Sequence, residues 1–121
     1  MTGRAPVDLA AVLRAVGEPW SPRTVATVND YDVRVARVSG EFTRHSHPET
    51  DEFFLVLTGR LTIRMDGGDV ELAPGQVCVV PRGTPHQPFS ADGAEILLFE
   101  PSATVNTGDT PSELTAERRL V

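Results

Sequence analysis

The three histidines of this chain and one of its glutamates have the spacing of metal ligands. His45 and His47 lie two residues apart, Glu52 follows five residues after His47, and His86 lies in a separate segment. Residues i and i+2 of a strand point to the same face, so two imidazoles can approach one point. Neutral imidazole is the commonest protein ligand for metals, and mixed nitrogen and oxygen donors suit transition metals. Scattered structural histidines are the alternative, but no histidine falls outside this pattern. We therefore predict His45, His47, Glu52 and His86 as the ligands of one metal ion.

Two other carboxylates compete with Glu52 for the fourth ligand position. Asp51 directly precedes Glu52, and adjacent residues of a strand point to opposite faces. Glu49 follows Pro48 and is predicted to lie in the connecting loop. The alternation of side chains therefore favours Glu52 as the ligand.

Length and composition limit the class of protein. A chain of 121 residues suits a single domain, here predicted for residues 1–121. The net charge is −6 and all 11 basic residues are arginines, which argues against a nucleic-acid surface and excludes lysine chemistry. Cys78 is the single cysteine, so no intrachain disulfide can form and a reducing compartment is expected. Without a signal-like N-terminus or a membrane-spanning apolar run, we predict a soluble, cytoplasmic protein with no membrane contact.

The pattern of apolar residues predicts an all-β protein with a short helical arm. Residues 8–16 have helical spacing. Trp20, in the following proline-rich connector, is predicted to anchor the arm on the body, with stacking on a ligand as the alternative. Short apolar segments then alternate with turn signals, as in a sandwich or barrel. Strands are predicted at 24–28, 31–38, 42–47, 52–58, 60–66, 69–72, 77–81, 86–90 and 94–100. The prediction thus divides the chain into an arm (1–22), a barrel (24–100) and a C-terminal tail (101–121), in which residues 112–120 could form a short helix.

The strand predicted at 52–58 is apolar on both faces. Phe54 and Val56 share the parity of Glu52, so we predict that they line the metal pocket, with simple core packing as the alternative. Leu55 and Leu57 then face a second layer or a second subunit. This excess of apolar surface, with exposed strand edges, leads us to predict a homodimer.

The two histidine segments together resemble the motifs of the cupin superfamily. The first motif corresponds to Gly40, His45-Ser46-His47, Glu52 and Gly59, and the second to Gly75, Pro81-Arg82-Gly83, His86 and Ser90. The Gly40 spacer is one residue short, and Ser90 stands where asparagine is usual. Trp20-Ser21-Pro22, the segment 29–33 and Val105-Asn106-Thr107-Gly108-Asp109 further resemble small single-domain cupins labelled mannose-6-phosphate isomerase-like. The resemblance implies a double-stranded β-helix of jelly-roll type.

Three imidazoles and one carboxylate leave about two positions open on an octahedral ion. Two adjacent open positions suit a small oxygenated ligand that chelates the metal, or one such ligand and O₂. The resemblance implies a metal-dependent enzyme of dioxygenase or isomerase/epimerase type, and the alternative is a non-catalytic metal- or small-molecule-binding module. The cofactor is predicted to be one divalent transition metal per chain, and Fe, Mn, Zn, Ni, Co and Cu all fit the ligand set. No catalytic residue beyond the ligands is predicted.

Overall fold

The fold is an antiparallel barrel preceded by one short helix. A computed structural model describes residues 5–121, and the N-terminal part of the predicted arm, residues 1–4, lies outside them. The elements are α1 (Leu9–Ala15), β1 (Arg23–Val28), β2 (Tyr31–Glu41), β3 (Glu52–Gly59), β4 (Leu61–Arg64), β5 (Val70–Leu72), β6 (Val77–Val80) and β7 (Gln87–Pro101). All strand pairs are antiparallel, in the order β1-β2-β7-β3-β6, and β4 joins β5 to β7. The predicted all-β jelly-roll, the short N-terminal helix and the C-terminal tail are confirmed.

Strand β7 connects the parts of the barrel. Its first residues pair with β4, from Gln87 opposite Arg64 to Phe89 opposite Thr62. Its second half pairs with β2 on one side and with β3 on the other. Because β7 crosses the whole fold, the sheet closes around an apolar interior in which Val56, Leu61 and Ile63 are fully buried.

Helix α1 covers part of the outer face of the sheet. The Asp8 carboxylate accepts hydrogen bonds from the backbone N–H groups of Ala10 and Ala11 at 3.0 and 3.4 Å, which is N-terminal capping. Leu13 packs with Val25 and Val35 in a second apolar cluster, against which Leu9, Val12, Val33, Leu57 and Leu97 are half-buried. The outer face of β3 therefore has a partner within the chain near Leu57.

Three sequence-based element predictions were wrong in detail. Residues 42–47 form no regular strand and contribute only an isolated bridge between His45 and His86, because Ser46 bonds the tail instead of a strand. The predicted strands 86–90 and 94–100 are one strand, β7, because the Ala91-Asp92-Gly93 signal does not reverse the chain. Residues 112–120 contain no helix, and Leu120 forms a parallel bridge with Thr24.

Among residues 5–121, no helix has the length and apolar character needed to cross a membrane.

Candidate metal centre

Four buried side chains from three segments converge at one end of the barrel. His45 and His47 lie between β2 and β3, Glu52 is the first residue of β3, and His86 immediately precedes β7. One donor atom from each lies within 4.8 Å of the others, and the group could hold a metal ion. The structure thus brings together all four residues that the sequence predicts as ligands.

The distances between the donor atoms match those of ligands sharing one ion. His45 Nε2 lies 3.1 Å from His47 Nε2, and Glu52 Oε1 lies 3.2 Å from His47 Nε2 and 2.8 Å from His86 Nε2. His45 Nε2 and Glu52 Oε1 are 4.0 Å apart. Nitrogen and oxygen ligands lie about 2.1 Å from a transition-metal ion, so adjacent donors are separated by about 3 Å and opposite donors by about 4 Å. The residues present therefore fit a bound metal.

Backbone carbonyls orient two of the imidazoles. Nδ1 of His45 donates to the Thr43 carbonyl at 2.8 Å, and Nδ1 of His86 donates to the Thr84 carbonyl at 2.9 Å. In a neutral imidazole the other nitrogen, Nε2, then carries the lone pair that a metal requires. Both rings thus present a ligand atom to the centre.

The two carboxylates that compete with Glu52 lie away from the centre. Asp51 is exposed, and its Oδ1 accepts a hydrogen bond from the backbone N–H of Arg82 at 2.9 Å. Glu49 is also exposed and lies in the loop after Pro48. The strand alternation that favours Glu52 therefore agrees with the observed positions.

Comparison with known proteins identifies the family. The family model described as the cupin domain matches residues 32–100, which is more than half of the chain. The chain belongs to the cupin family. It is 36% identical over 81 residues, 66% of its own length and 72% of the relative's, to the uncharacterised protein YdbB of Bacillus subtilis.

Solved structures agree with this assignment. A cupin-2 domain protein from Shewanella frigidimarina is 34% identical, with a TM-score of 0.77 over 78% of this cupin and 93% of that chain. A hydroquinone 1,2-dioxygenase from Sphingomonas sp. TTNP3 has a TM-score of 0.66 at 18% identity, over 78% of this cupin and 71% of that chain. At that identity the second likeness concerns the fold alone.

The cupin's centre holds one buried carboxylate, and the pKa values of two of its imidazoles are shifted in opposite directions. Burial lowers the pKa of His45 to about 4, so this ring is neutral at physiological pH. Burial would raise the pKa of Glu52, but hydrogen bonds with His47 and His86 outweigh it and lower the pKa. Burial alone would lower the pKa of His86, but the hydrogen bond to Glu52 outweighs burial and raises this pKa.

A small apolar cavity adjoins His45 and Glu52. Its volume is about 30 Å³, and its lining includes Trp20, Phe42, Phe54, Val38, Ile96 and Asn106. Phe54 is one of the residues that line this cavity. Val56 is fully buried in the interior cluster and does not line this cavity.

Trp20 closes one side of the cavity in an unusual conformation. Its φ of 61° is in the left-handed region, which costs a side-chain-bearing residue about 1–3 kcal/mol. Its backbone N–H donates to Arg37, its indole N–H donates to the Ser39 carbonyl, both at 2.8 Å, and its ring stacks on Phe42. The predicted anchor therefore also forms part of the cavity wall.

Sequence reasoning missed a buried charged group next to the centre. Arg34 donates to Glu100 at 2.7 Å and to Asp32 at 3.1 Å, and all three residues are buried. Oε1 of Glu100 has no hydrogen-bond partner among residues 5–121, and burial followed by the nearby Glu52 charge raises the Glu100 pKa well above its usual range. Strand alternation could have predicted this burial, because Asp32 and Arg34 point to the same face of β2 as the interior residue Ala36.

Proposed function

We propose that this cupin binds one divalent transition metal through His45, His47, Glu52 and His86 and acts on a small oxygenated metabolite. The observation that carries the proposal is the convergence of four buried donor atoms at separations that suit one ion. The backbone bonds to His45 and His86 support it, because such outer partners fix the ring orientation of metal-bound histidines.

The reactivity would come from the metal, and the protein would orient the ligand and exclude water. A metal in such a centre polarises a bound oxygen or supplies redox chemistry. Among the described residues that line the cavity, His45 and Glu52 are the only ones with ionisable side chains, so the wall itself offers no separate acid or base. The apolar wall would exclude bulk water from the side of the metal next to His45 and Glu52.

A second space indicates where a ligand could approach. A groove of about 370 Å³ reaches His47, and its lining includes Pro48, Glu49, Pro101, Ala103, Thr104 and Val105. The described lining contains no arginine or lysine, so it does not favour an anionic ligand. A neutral or weakly acidic chelating molecule, such as a catechol, an enediol or a hydroxy ketone, suits this groove.

Metal analysis followed by an oxygen electrode tests the proposal. The purified protein should carry close to one metal per chain. Iron with oxygen uptake on a chelating substrate supports dioxygenation, whereas zinc, manganese or nickel without uptake supports isomerisation or epimerisation. Failure to bind any of these metals after reconstitution would refute the proposal.

A non-catalytic binding module is the second candidate. The observation in its favour is the shortage of acids and bases in the cavity wall beyond the ligands. For this candidate we expect a metal and a small ligand to bind tightly, with no turnover of any chelating substrate and no oxygen uptake.

We further propose that the protein is a homodimer. On the outer face of the sheet, Phe53 lies opposite Phe99 and Val79, and Leu55 lies opposite Leu97 and Val77. Val77 and Val79 are 53% and 51% exposed on β6, and among residues 5–121 this strand pairs only with β3. An exposed apolar face beside an open strand edge is the surface on which a second copy could pack.

We also propose that the protein belongs to the small cupins labelled mannose-6-phosphate isomerase-like and that it is cytoplasmic. Placement in the group labelled mannose-6-phosphate isomerase-like is supported by Trp20 and Asn106, since both motif segments contribute to the cavity wall. A cytoplasmic location is supported by Cys78, which is free.

A further inference from the structure

The residue between the two neighbouring histidines is bound by the C-terminal tail. Oδ1 of Asp109 accepts a hydrogen bond from the Ser46 backbone N–H, and Oδ2 accepts one from the Ser46 hydroxyl, both at 2.8 Å. The Asp109 backbone N–H in turn donates to the Ser46 carbonyl at 3.0 Å. Asp109 therefore engages the N–H, the hydroxyl and the carbonyl of Ser46.

Gly108 brings the tail backbone directly against a metal-ligand candidate. Its φ of 55° is in the left-handed region. A Cβ atom at this position would collide with the Ser46 carbonyl oxygen and would lie 3.0 Å from Cδ2 of His45. Only glycine allows this approach, and the tail thereby limits how far the His45 ring can move.

The tail segment is itself held firmly. Thr107 is fully buried and its hydroxyl bonds that of Thr115 at 2.6 Å. The Asn106 amide donates to the Leu114 carbonyl and accepts from the Ala116 N–H, both at 2.9 Å. These bonds give Asp109 a rigid base from which to hold Ser46.

We propose that Asp109 and Gly108 are positioning residues of the metal centre, which hold the backbone between His45 and His47 so that both imidazoles converge on one ion. The proposal rests on the metal binding proposed above. If Asp109 only fixed the tail, loss of its contacts would mainly lower the free energy of unfolding. For a positioning residue, the loss should change metal affinity and ligand geometry more than it changes the free energy of unfolding.

Cobalt binding to the full chain separates these roles. We would titrate Co²⁺ into the wild type, Asp109→Ala, Asp109→Asn and the control Asp69→Ala, which changes an exposed aspartate. The readouts are the Co²⁺ dissociation constant, the visible ligand-field spectrum and urea unfolding of the metal-free protein. Asp109→Ala should weaken binding about tenfold or more, the range for outer-shell changes, and should alter the spectrum.

The amide variant provides a rescue. In Asp109→Asn the amide oxygen can accept from the Ser46 N–H and the amide N–H can donate to the Ser46 hydroxyl oxygen, so affinity and spectrum should return towards wild type. Asp69→Ala should match the wild type. If Asp109→Ala does not fold, Ser46→Ala, which removes only the hydroxyl contact, decides the matter by the same readouts.

The outcomes separate the two proposals. A wild type that binds no Co²⁺ overturns the proposed function and this inference with it. Wild-type binding with an unchanged dissociation constant and spectrum in Asp109→Ala overturns the inference alone. A loss of metal-free stability with an unaltered spectrum also overturns it, because the contact would then be only structural.

Discussion

The backbones of His45 and His86 are hydrogen-bonded to each other in both directions. The His45 N–H donates to the His86 carbonyl at 3.0 Å, and the His86 N–H donates to the His45 carbonyl at 2.8 Å. These residues are 41 positions apart in the sequence but form a single antiparallel bridge. The separation of the two imidazoles is therefore set by the main chain before any metal binds.

Replacing the proposed carboxylate ligand should weaken metal binding. Glu52→Gln keeps the size of the side chain but removes its charge, so we expect metal affinity to fall at least about tenfold. Glu49→Gln is the matched control, because Glu49 is exposed in the neighbouring loop. Metal content after dialysis measures both variants. Equal metal loss in the two, or full occupancy in Glu52→Gln, would show that Glu52 is not a ligand.

Removal of the metal should destabilise the fold. A ligand that binds only the native state stabilises it by about 2.7 kcal/mol at 100 times its dissociation constant. Chelator should therefore lower the melting temperature of the wild type. The control is the His45→Ala/His86→Ala double variant, whose melting temperature should not change when chelator is added. A chelator shift that persists in the double variant would place the metal elsewhere.

Acid should weaken the fold through Asp32. The hydrogen bond from Arg118 is the largest cause that holds the Asp32 pKa below its ordinary value, against the effect of burial. Because the Asp32 pKa is lower in the folded state, ionised Asp32 stabilises the fold at pH values above the ordinary aspartate pKa of about 3.9. This stabilisation is lost as the pH falls towards the folded-state pKa. Arg118→Gln should therefore lower the urea midpoint near pH 7, and the difference from wild type should narrow between about pH 5 and pH 2.

Arg119→Gln is the control for that experiment. Arg119 is an exposed neighbour of the same charge, so the urea midpoint of this variant should follow the wild type at every pH. Chelator in all samples keeps metal binding out of the comparison. A constant offset for Arg118→Gln over the whole pH range would contradict the assigned role of Asp32.

A charge on the outer face should break the proposed dimer. Val79→Arg places a cation in the apolar surface beside Phe53 and Phe99, and burying it at an interface would leave it unpaired. We expect a dimer mass for the wild type and a monomer mass for the variant by light scattering. Val121→Arg, at another exposed valine, should remain dimeric. A monomeric wild type at micromolar concentration would end this proposal.

The sequence predicted which four side chains converge because their signal is local. Two-residue spacing and strand alternation are enough to direct His45 and His47 together and to choose Glu52 over Asp51. The same alternation predicted that Phe54 and Val56 would point inward from β3, and both are buried. It could not show that Phe54 alone of the two reaches the cavity, since that depends on the depth of each residue in the barrel.

The missed features depend on contacts that are distant in the sequence. Arg34 and Glu100 are 66 positions apart, and charged residues on a strand are ordinarily assigned to the solvent face. Asp109 reaches Ser46 across 63 positions from a tail without any periodic pattern. The sequence predicts two strands in place of β7, because Asp-Gly usually signals a turn. In the structure Asp92 and Gly93 remain within the strand.

The position of Trp20 also gives the molecule an internal reporter. It is the only tryptophan, its ring lies 4.7 Å from that of Phe42, and Phe42 lies 5.5 Å from the His45 imidazole. Open-shell ions such as Co²⁺, Ni²⁺ and Cu²⁺ quench indole emission at short range, whereas closed-shell Zn²⁺ does not. The intrinsic fluorescence of the unlabelled protein can therefore follow metal loading and distinguish these two groups of ions.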